Sequence, residues 1–260
     1  MIPTPATDLQ ARCELLRSLH RRGDPLLLPN AWDVATAKAV VAAGFEVVAT
    51  TSWAVAATLG YEDEERAPAD EMLTAAGRIA RSVEVPVTVD AEAGYGMQPA
   101  ELVAALHDVG AAGCNLEDTE WPAGSLRDPD RHAEWLAAVR EAALGEGYPL
   151  VINARIDVFF HPFLADEGGP QEGFVGEAVR RANAYLGAGV DCVYPICLWE
   201  MSALRRFMSE VTGPVNITRE PQAPSIAELS ALGVARVSWG PLLHWEAIAR
   251  FQEQLASLRD

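Results

Sequence analysis

GAAGCNLED, residues 110–118, is the stretch on which the fold turns. Gly110 closes a helix, Gly113 opens a short apolar run, and the run ends in two carboxylates, Glu117 and Asp118. The same joint recurs in AAGFEVV (42–48), GAGVDCV (187–193) and ALGVARVS (231–238). Working outward, strand-like runs lie at 26–30, 46–52, 86–92, 113–118, 150–158, 192–197, 213–218 and 234–240. Between them come amphipathic stretches at 31–43, 68–82, 99–109, 131–143, 176–187, 200–211 and 226–232. Eight strand-then-helix units predict an α/β fold of the (β/α)8 TIM-barrel type. The chain reads as one domain, 1–260, with the barrel over 26–243 and a tail helix over 244–258; residues 1–25 stand outside the eight units. A doubly wound open sheet is the alternative, but no GxGxxG follows the first strand.

Composition limits what the fold does. With 260 residues, half of them hydrophobic, the chain has the apolar material for a large core. A net charge of −17 argues against a nucleic-acid partner, because phosphate contact needs a basic face. No apolar run reaches the ~18 residues of a membrane span. The N-terminus lacks the basic-then-apolar layout of a signal peptide, so a cytoplasmic location is expected. Cys13, Cys114, Cys192 and Cys197 form no CxxC pair, and Cys114 and Cys192 sit in apolar runs as reduced core residues.

In such a barrel the reactive end is where strands finish and loops begin. Polar residues gather there. VTVDAEAGYG (87–96) carries Asp90 and Glu92, two apart and so expected on one face of a strand. NLED adds Asn115 and Glu117, and INARIDV adds Asn153, Arg155 and Asp157. Asn30, Asn216 and Ser238 end the first, seventh and eighth runs. Three carboxylates at one rim, Asp90, Glu92 and Glu117, would repel one another unless a hard divalent cation joined them. The competing reading has these acids capping helices or pairing with arginines. Arg155 has the planar fork that suits a substrate carboxylate, and a salt bridge to Glu117 is compatible with that role.

The chain resembles the isocitrate lyase/phosphoenolpyruvate mutase superfamily over most of its length. LPNAWDVATAKAVVAAGF is similar to that family's first strand and helix, and TTSWAVAATLGYEDEE to its second-strand loop. VDAEAGYG resembles the Asp-Ala-Asp-x-Gly-Tyr/Phe-Gly signature with Glu in place of the second Asp. NLED and ARID match two further motifs in order. The resemblance implies Mg²⁺, with Mn²⁺ as the alternative, at Asp90, Glu92 and Glu117. It implies a small 2-oxo acid of the oxaloacetate or 2-oxoglutarate kind, held by backbone N–H groups around Thr51, Ser52 and Trp53 and by Arg155. Asp63 falls on the family's acidic position. Asn216 is a further candidate for substrate contact. The implied assembly is a homodimer or homotetramer with swapped C-terminal helices.

The chain departs from the family in the gate loop after the fourth strand. The lyases carry Lys-Lys-Cys-Gly-His there, with Cys as proton donor, and the phosphonate enzymes place Lys and Asn after the loop proline. Here 119–127 reads TEWPAGSLR, leaving Ser125 as the surviving counterpart and Glu120 and Arg127 as further candidates for the leaving group. The expected reaction makes or breaks a bond at C3 of a 2-oxo acid through an enolate, as a carbon–carbon lyase or decarboxylase. A phosphonopyruvate-type hydrolase or mutase and a non-catalytic 2-oxo acid binder are the rivals. The long stretch 159–176 is expected to cover the mouth or make an oligomer contact.

Overall fold

The computed structural model describes residues 6–121, 123–165 and 170–258. Residues 1–5 of the leading segment, Pro122 of the gate loop and 166–169 of the long stretch lie outside the described residues. Eight parallel strands close into a barrel. They are Leu26–Leu28, continued past Pro29 by Asn30–Ala31, then Val48–Thr50, Val87–Asp90, Gly113–Glu117, Val151–Ile156, Cys192–Pro195, Asn216–Thr218 and Arg236–Ser238. The first strand serves two neighbours. Its first half pairs with the last strand, Leu28 against Ser238, and its second half with the second strand, Asn30 against Ala49. Pro29 has no N–H to give to a ladder, which suits the point where the pairing changes sides. The sixth and seventh strands meet at one bridge, Val193 to Val215.

Helices cover the barrel because each buries one apolar stripe. Helix Val175–Gly187 buries Val175, Ala178, Val179, Ala182 and Tyr185, the i, i+3, i+4 spacing of a helix face. Helix Pro99–Val109 buries Leu102, Val103 and Leu106. Each such leucine contributes roughly 1.5–3 kcal/mol, and Leu106→Ala would cost about 2–5 kcal/mol once the cavity is included. Starts are marked by Asp33 and Ser225 as capping-box residues and by Pro99 and Pro129 in the first helical turn. The Gly110 joint behaves as expected, with φ at 80° in the left-handed region where a helix closes.

Besides strand ends that are shorter than expected, four segments differ in kind or position from the sequence reading. Residues 52–59, expected as loop, form helix Ser52–Leu59, whose Ala-rich sequence favours helix once Thr51 ends the strand. The third strand stops at Asp90 rather than at 92. The gate loop contains a short antiparallel hairpin, Thr119–Glu120 with Ser125–Leu126. The long stretch holds a 3-10 turn Asp157–Phe159, helix Phe160–Leu164 and a second turn Gln171–Phe174. Residues 6–18 of the leading segment form a helix that buries Leu9, Cys13 and Leu16. No helix of the described residues is long and apolar enough to cross a membrane. All four cysteines are free and buried.

Candidate active site

Register decides which side chains meet. Asp90, Asn115, Asn153 and Cys192 stand side by side across four strands, and one layer further along Glu117, Arg155 and Tyr194 do the same. These layers open into a cavity of about 370 Å³ at the C-terminal ends of the strands. Of the residues singled out from sequence, Thr51, Ser52, Trp53, Asp63, Asp90 and Arg155 line it, as do Asn30, Asn115 and Ser238.

Asp90 sits where helix Ser52–Leu59 begins. Its Oδ2 accepts the Ser52 N–H at 2.9 Å, and its own N–H donates to Thr50 Oγ1 at 2.8 Å. The helix N-terminus, with its unsatisfied N–H groups and positive dipole end, therefore faces the cavity beside a carboxylate. Beside Asp90 lies Asn115. Asn115 Oδ1 accepts from Asn153 Nδ2 at 2.9 Å and from Arg236 Nη2 at 3.1 Å, which turns Asn115 Nδ2 toward Asp90 Oδ1 at 3.4 Å. Arg236 is 1% exposed, and burial pulls its guanidinium below the usual arginine range. Asp63, also on the cavity, is pushed up to about 6 by burial and by the neighbouring Asp90 charge.

Arg155 is held from both sides. Its Nε donates to Asp157 Oδ1 at 2.6 Å, and its Nη1 lies 2.6 Å from Glu117 Oε2 in an ion-pair contact outside hydrogen-bond alignment. Burial works against the guanidinium, and Asp157, Glu117 and Asp90 outweigh it, raising it above the ordinary arginine range. Trp121 Nε1 donates to Glu117 Oε1 at 2.5 Å, and burial raises the Glu117 carboxyl well above its usual value. Asp118, on the opposite face of that strand, points away from the barrel interior to Arg181 Nη1 at 3.0 Å and the Tyr185 hydroxyl at 2.8 Å.

Several expectations are corrected here. Asp90 and Glu92 do not share a strand face, because Glu92 follows the strand end with φ at 49° and strand alternation no longer applies. Glu92 Oε1 instead accepts the Glu65 N–H at 2.7 Å, and burial raises its carboxyl to about 8. Neither Glu92 nor Glu117 lines the cavity. Ser125 is exposed in the gate hairpin and does not reach the cavity. Glu120 and Arg127 line a separate cavity with His132 and Trp135. Asn216 is buried within the barrel, donating to Ser238 Oγ at 3.1 Å. Gly94 tolerates no side chain, since a Cβ there would lie 2.9 Å from the Trp135 ring and φ is 90°.

Phe160, Phe163 and Leu164, from the long stretch expected to cover the mouth or make an oligomer contact, line the cavity, and the structure adds Tyr194, Ile196 and Trp245, which the sequence reading did not place. Tyr194 stands next to Arg155 in register, a pairing visible only once strands are aligned. Trp245 comes from the tail helix Leu242–Ser257, outside the eight units.

The donor set fits a hard divalent cation that keeps much of its water. Asp63 Oδ1 and Glu92 Oε2 are buried carboxylate oxygens without a hydrogen-bond partner, close to Asp90. Among the described residues no three acidic, His or Cys groups converge as a direct chelate. One or two carboxylates with retained waters is the coordination Mg²⁺ favours.

The family model described as phosphoenolpyruvate phosphomutase matches residues 16–259. The chain is 30% identical to 2-methylisocitrate lyase of Escherichia coli K12, over 82% of this chain and 72% of that enzyme. It is 29% identical to phosphoenolpyruvate phosphomutase of Streptomyces hygroscopicus, over 85% and 71%. Among solved structures, a Burkholderia cenocepacia J2315 protein whose phosphonomutase assignment is itself provisional superposes with a TM-score of 0.88 at 39% identity, over 94% of this chain and 99% of that one. The family model and these relatives agree: the chain belongs to the phosphoenolpyruvate phosphomutase family, within the isocitrate lyase/PEP mutase superfamily of lyases and mutases that act on 2-oxo acids.

Proposed function

We propose that the protein is a Mg²⁺-dependent carbon–carbon lyase or decarboxylase that works through the enolate of a small 2-oxo acid. One juxtaposition carries this reading: the Ser52 N–H, the Asp90 carboxylate and the Arg155 guanidinium all face one cavity. When bound at Asp90, Mg²⁺ would supply Lewis-acid polarisation of the 2-oxo group. Asp63 and Glu92 would orient its waters. The N–H groups that open helix Ser52–Leu59 donate where negative charge gathers in the enolate. Arg155, fixed by Glu117 and Asp157, lines the cavity and supplies positive charge for the C1 carboxylate. Carbon–phosphorus chemistry is disfavoured because the gate hairpin brings no cation to the cavity: Arg127 Nη1 donates to the Ala93 carbonyl, and its guanidinium lies 5.8 Å from the Trp135 ring centroid.

The same reading includes assembly. Tail helix Leu242–Ser257 exposes Trp245, Ile248, Phe251 and Leu255 along one stripe, and Trp245 also lines the cavity. A second copy covering that stripe, with helices exchanged, would complete the mouth of the site; the buried free cysteines suit a reducing cytoplasm. The test is calorimetric titration of pyruvate with Mg²⁺ and again with a chelator. Binding that requires Mg²⁺ is the expected result, and equal affinity in both conditions would overturn the reading.

A further inference from the structure

Two side chains beside Arg155 share one hydroxyl. Thr119, the first residue of the gate hairpin, is fully buried. Its Oγ1 donates to Asp157 Oδ2 at 2.5 Å and lies 3.0 Å from His161 Nε2. A hydroxyl has one proton, and a carboxylate ion-paired with Arg155 only accepts. The Thr119 proton is therefore spent on Asp157, so at His161 the same oxygen accepts. His161 Nε2 must carry a hydrogen, and the geometry selects that tautomer.

Asp157 is the group on which this hydroxyl acts. Its Oδ1 accepts from Arg155 Nε at 2.6 Å, its Oδ2 lies 3.4 Å from Arg155 Nη2, and its N–H donates to Asp118 Oδ1 at 2.9 Å. With Thr119 on Oδ2, the carboxylate cannot turn without breaking a hydrogen bond, and it holds the Nε–Nη2 edge of the guanidinium. His161 brings in a second element. It belongs to helix Phe160–Leu164, whose Phe163 and Leu164 line the cavity. The Phe160 ring centroid lies 4.8 Å from the Arg155 guanidinium carbon. That helix therefore meets Arg155 twice, directly through Phe160 and again through His161, Thr119 and Asp157.

Resting on the 2-oxo acid reading above, we infer that Thr119 and His161 are positioning residues. Through Asp157 they set Arg155 for the C1 carboxylate, and they couple its aim to the root of the gate hairpin and to helix Phe160–Leu164. Neither lines the cavity, so both act through Asp157 rather than on the substrate.

The test separates shape from hydrogen bonding. Thr119→Val keeps the volume and loses the hydroxyl, whereas Thr119→Ser keeps the hydroxyl. His161→Leu loses the donor, whereas His161→Gln puts an amide N–H near the place of Nε2. Pyruvate is titrated by calorimetry with Mg²⁺ present, and circular dichroism checks each fold. Thr119→Val should weaken pyruvate about tenfold, the scale of one hydrogen bond to a charged group, and His161→Leu should weaken it by less. Thr119→Ser and His161→Gln should recover most of the loss. Mg²⁺ affinity, held at Asp90, should stay unchanged in all four. A second readout needs no substrate: the imidazole ¹⁵N spectrum of the unaltered protein, at a pH where the ring is neutral, should place the His161 hydrogen on Nε2. A hydrogen on Nδ1 instead, or unchanged pyruvate affinity in folded Thr119→Val, would overturn this inference and leave the 2-oxo acid reading intact. Failure of the unaltered protein to bind pyruvate would overturn both.

Discussion

The two halves of the barrel mouth are built differently. At the ends of the third, fourth and fifth strands, Asp90, Asn115, Glu117 and Arg155 are fixed by ladder register and then by hydrogen bonds within 3.4 Å. In the gate hairpin, Glu120 and Ser125 face each other in a two-rung ladder, Arg127 is turned to the Ala93 carbonyl and the Trp135 ring, and none of the three lines the main cavity. A strand end inherits its aim from the whole sheet, whereas a loop residue is aimed by its own local turn.

The largest effect should come from Arg155→Ala. It leaves Glu117 and Asp157 buried without their cation, so urea unfolding should show a loss of about 3–5 kcal/mol, and Arg155→Lys should restore little of it. A loss within 1 kcal/mol, the scale of an exposed pair, would break the distinction between the two halves. Asp90→Asn comes next. It keeps the acceptor for the Ser52 N–H, so circular dichroism should be unchanged while Mg²⁺ affinity by calorimetry falls roughly a hundredfold. Unaltered affinity would remove Asp90 from the metal.

The gate side offers a pH-dependent test at His132, stacked 5.6 Å from Trp135 and T-shaped against Tyr185. Burial, reinforced by the Arg127 and Arg181 charges, pulls the imidazole down to about 3. The folded protein therefore refuses a proton that the unfolded chain takes up below its ordinary value of 6.5. The resulting stability is present above 6.5 and is lost as pH falls toward 3, by about 2 kcal/mol at pH 5. His132→Phe keeps the ring packing and should flatten that limb between pH 7 and 5; an unchanged slope would place the titration elsewhere. The smallest effect belongs to Ser125→Ala, within about 0.5 kcal/mol in stability and with turnover retained. Collapse of turnover would show that the hairpin closes over the site.

Much of this was readable from the chain. The helix-closing glycines and the eight apolar runs gave the barrel, and Asp90 and Arg155 were legible because strand ends in a barrel share one rim. Glu92 was misplaced because period-two alternation was carried past the last ladder bond into a left-handed residue. Helix Ser52–Leu59 is Ala-rich and helix-favouring, but it follows the second strand with no separating turn residue and was read as that strand's loop. Tyr194 and Ile196 escaped because they sit in a run that looks like core, and Trp245 because it sits in a helix that looks peripheral. Only folding brings those three to one cavity.

The divided first strand bears on how the molecule assembles in time. Asn30 Oδ1 accepts the backbone N–H groups of Trp239 and Gly240, contacts that reach across 209 and 210 residues of sequence. Contacts so distant in sequence carry a heavy loop-closure cost and slow the search for the native state. During synthesis the N-terminal strand keeps an unpaired edge until Arg236–Ser238 has emerged, and for that interval it is open to pairing with another chain. Pro29, which withholds an N–H at the end of that edge, makes the waiting strand a poorer template for misassembly.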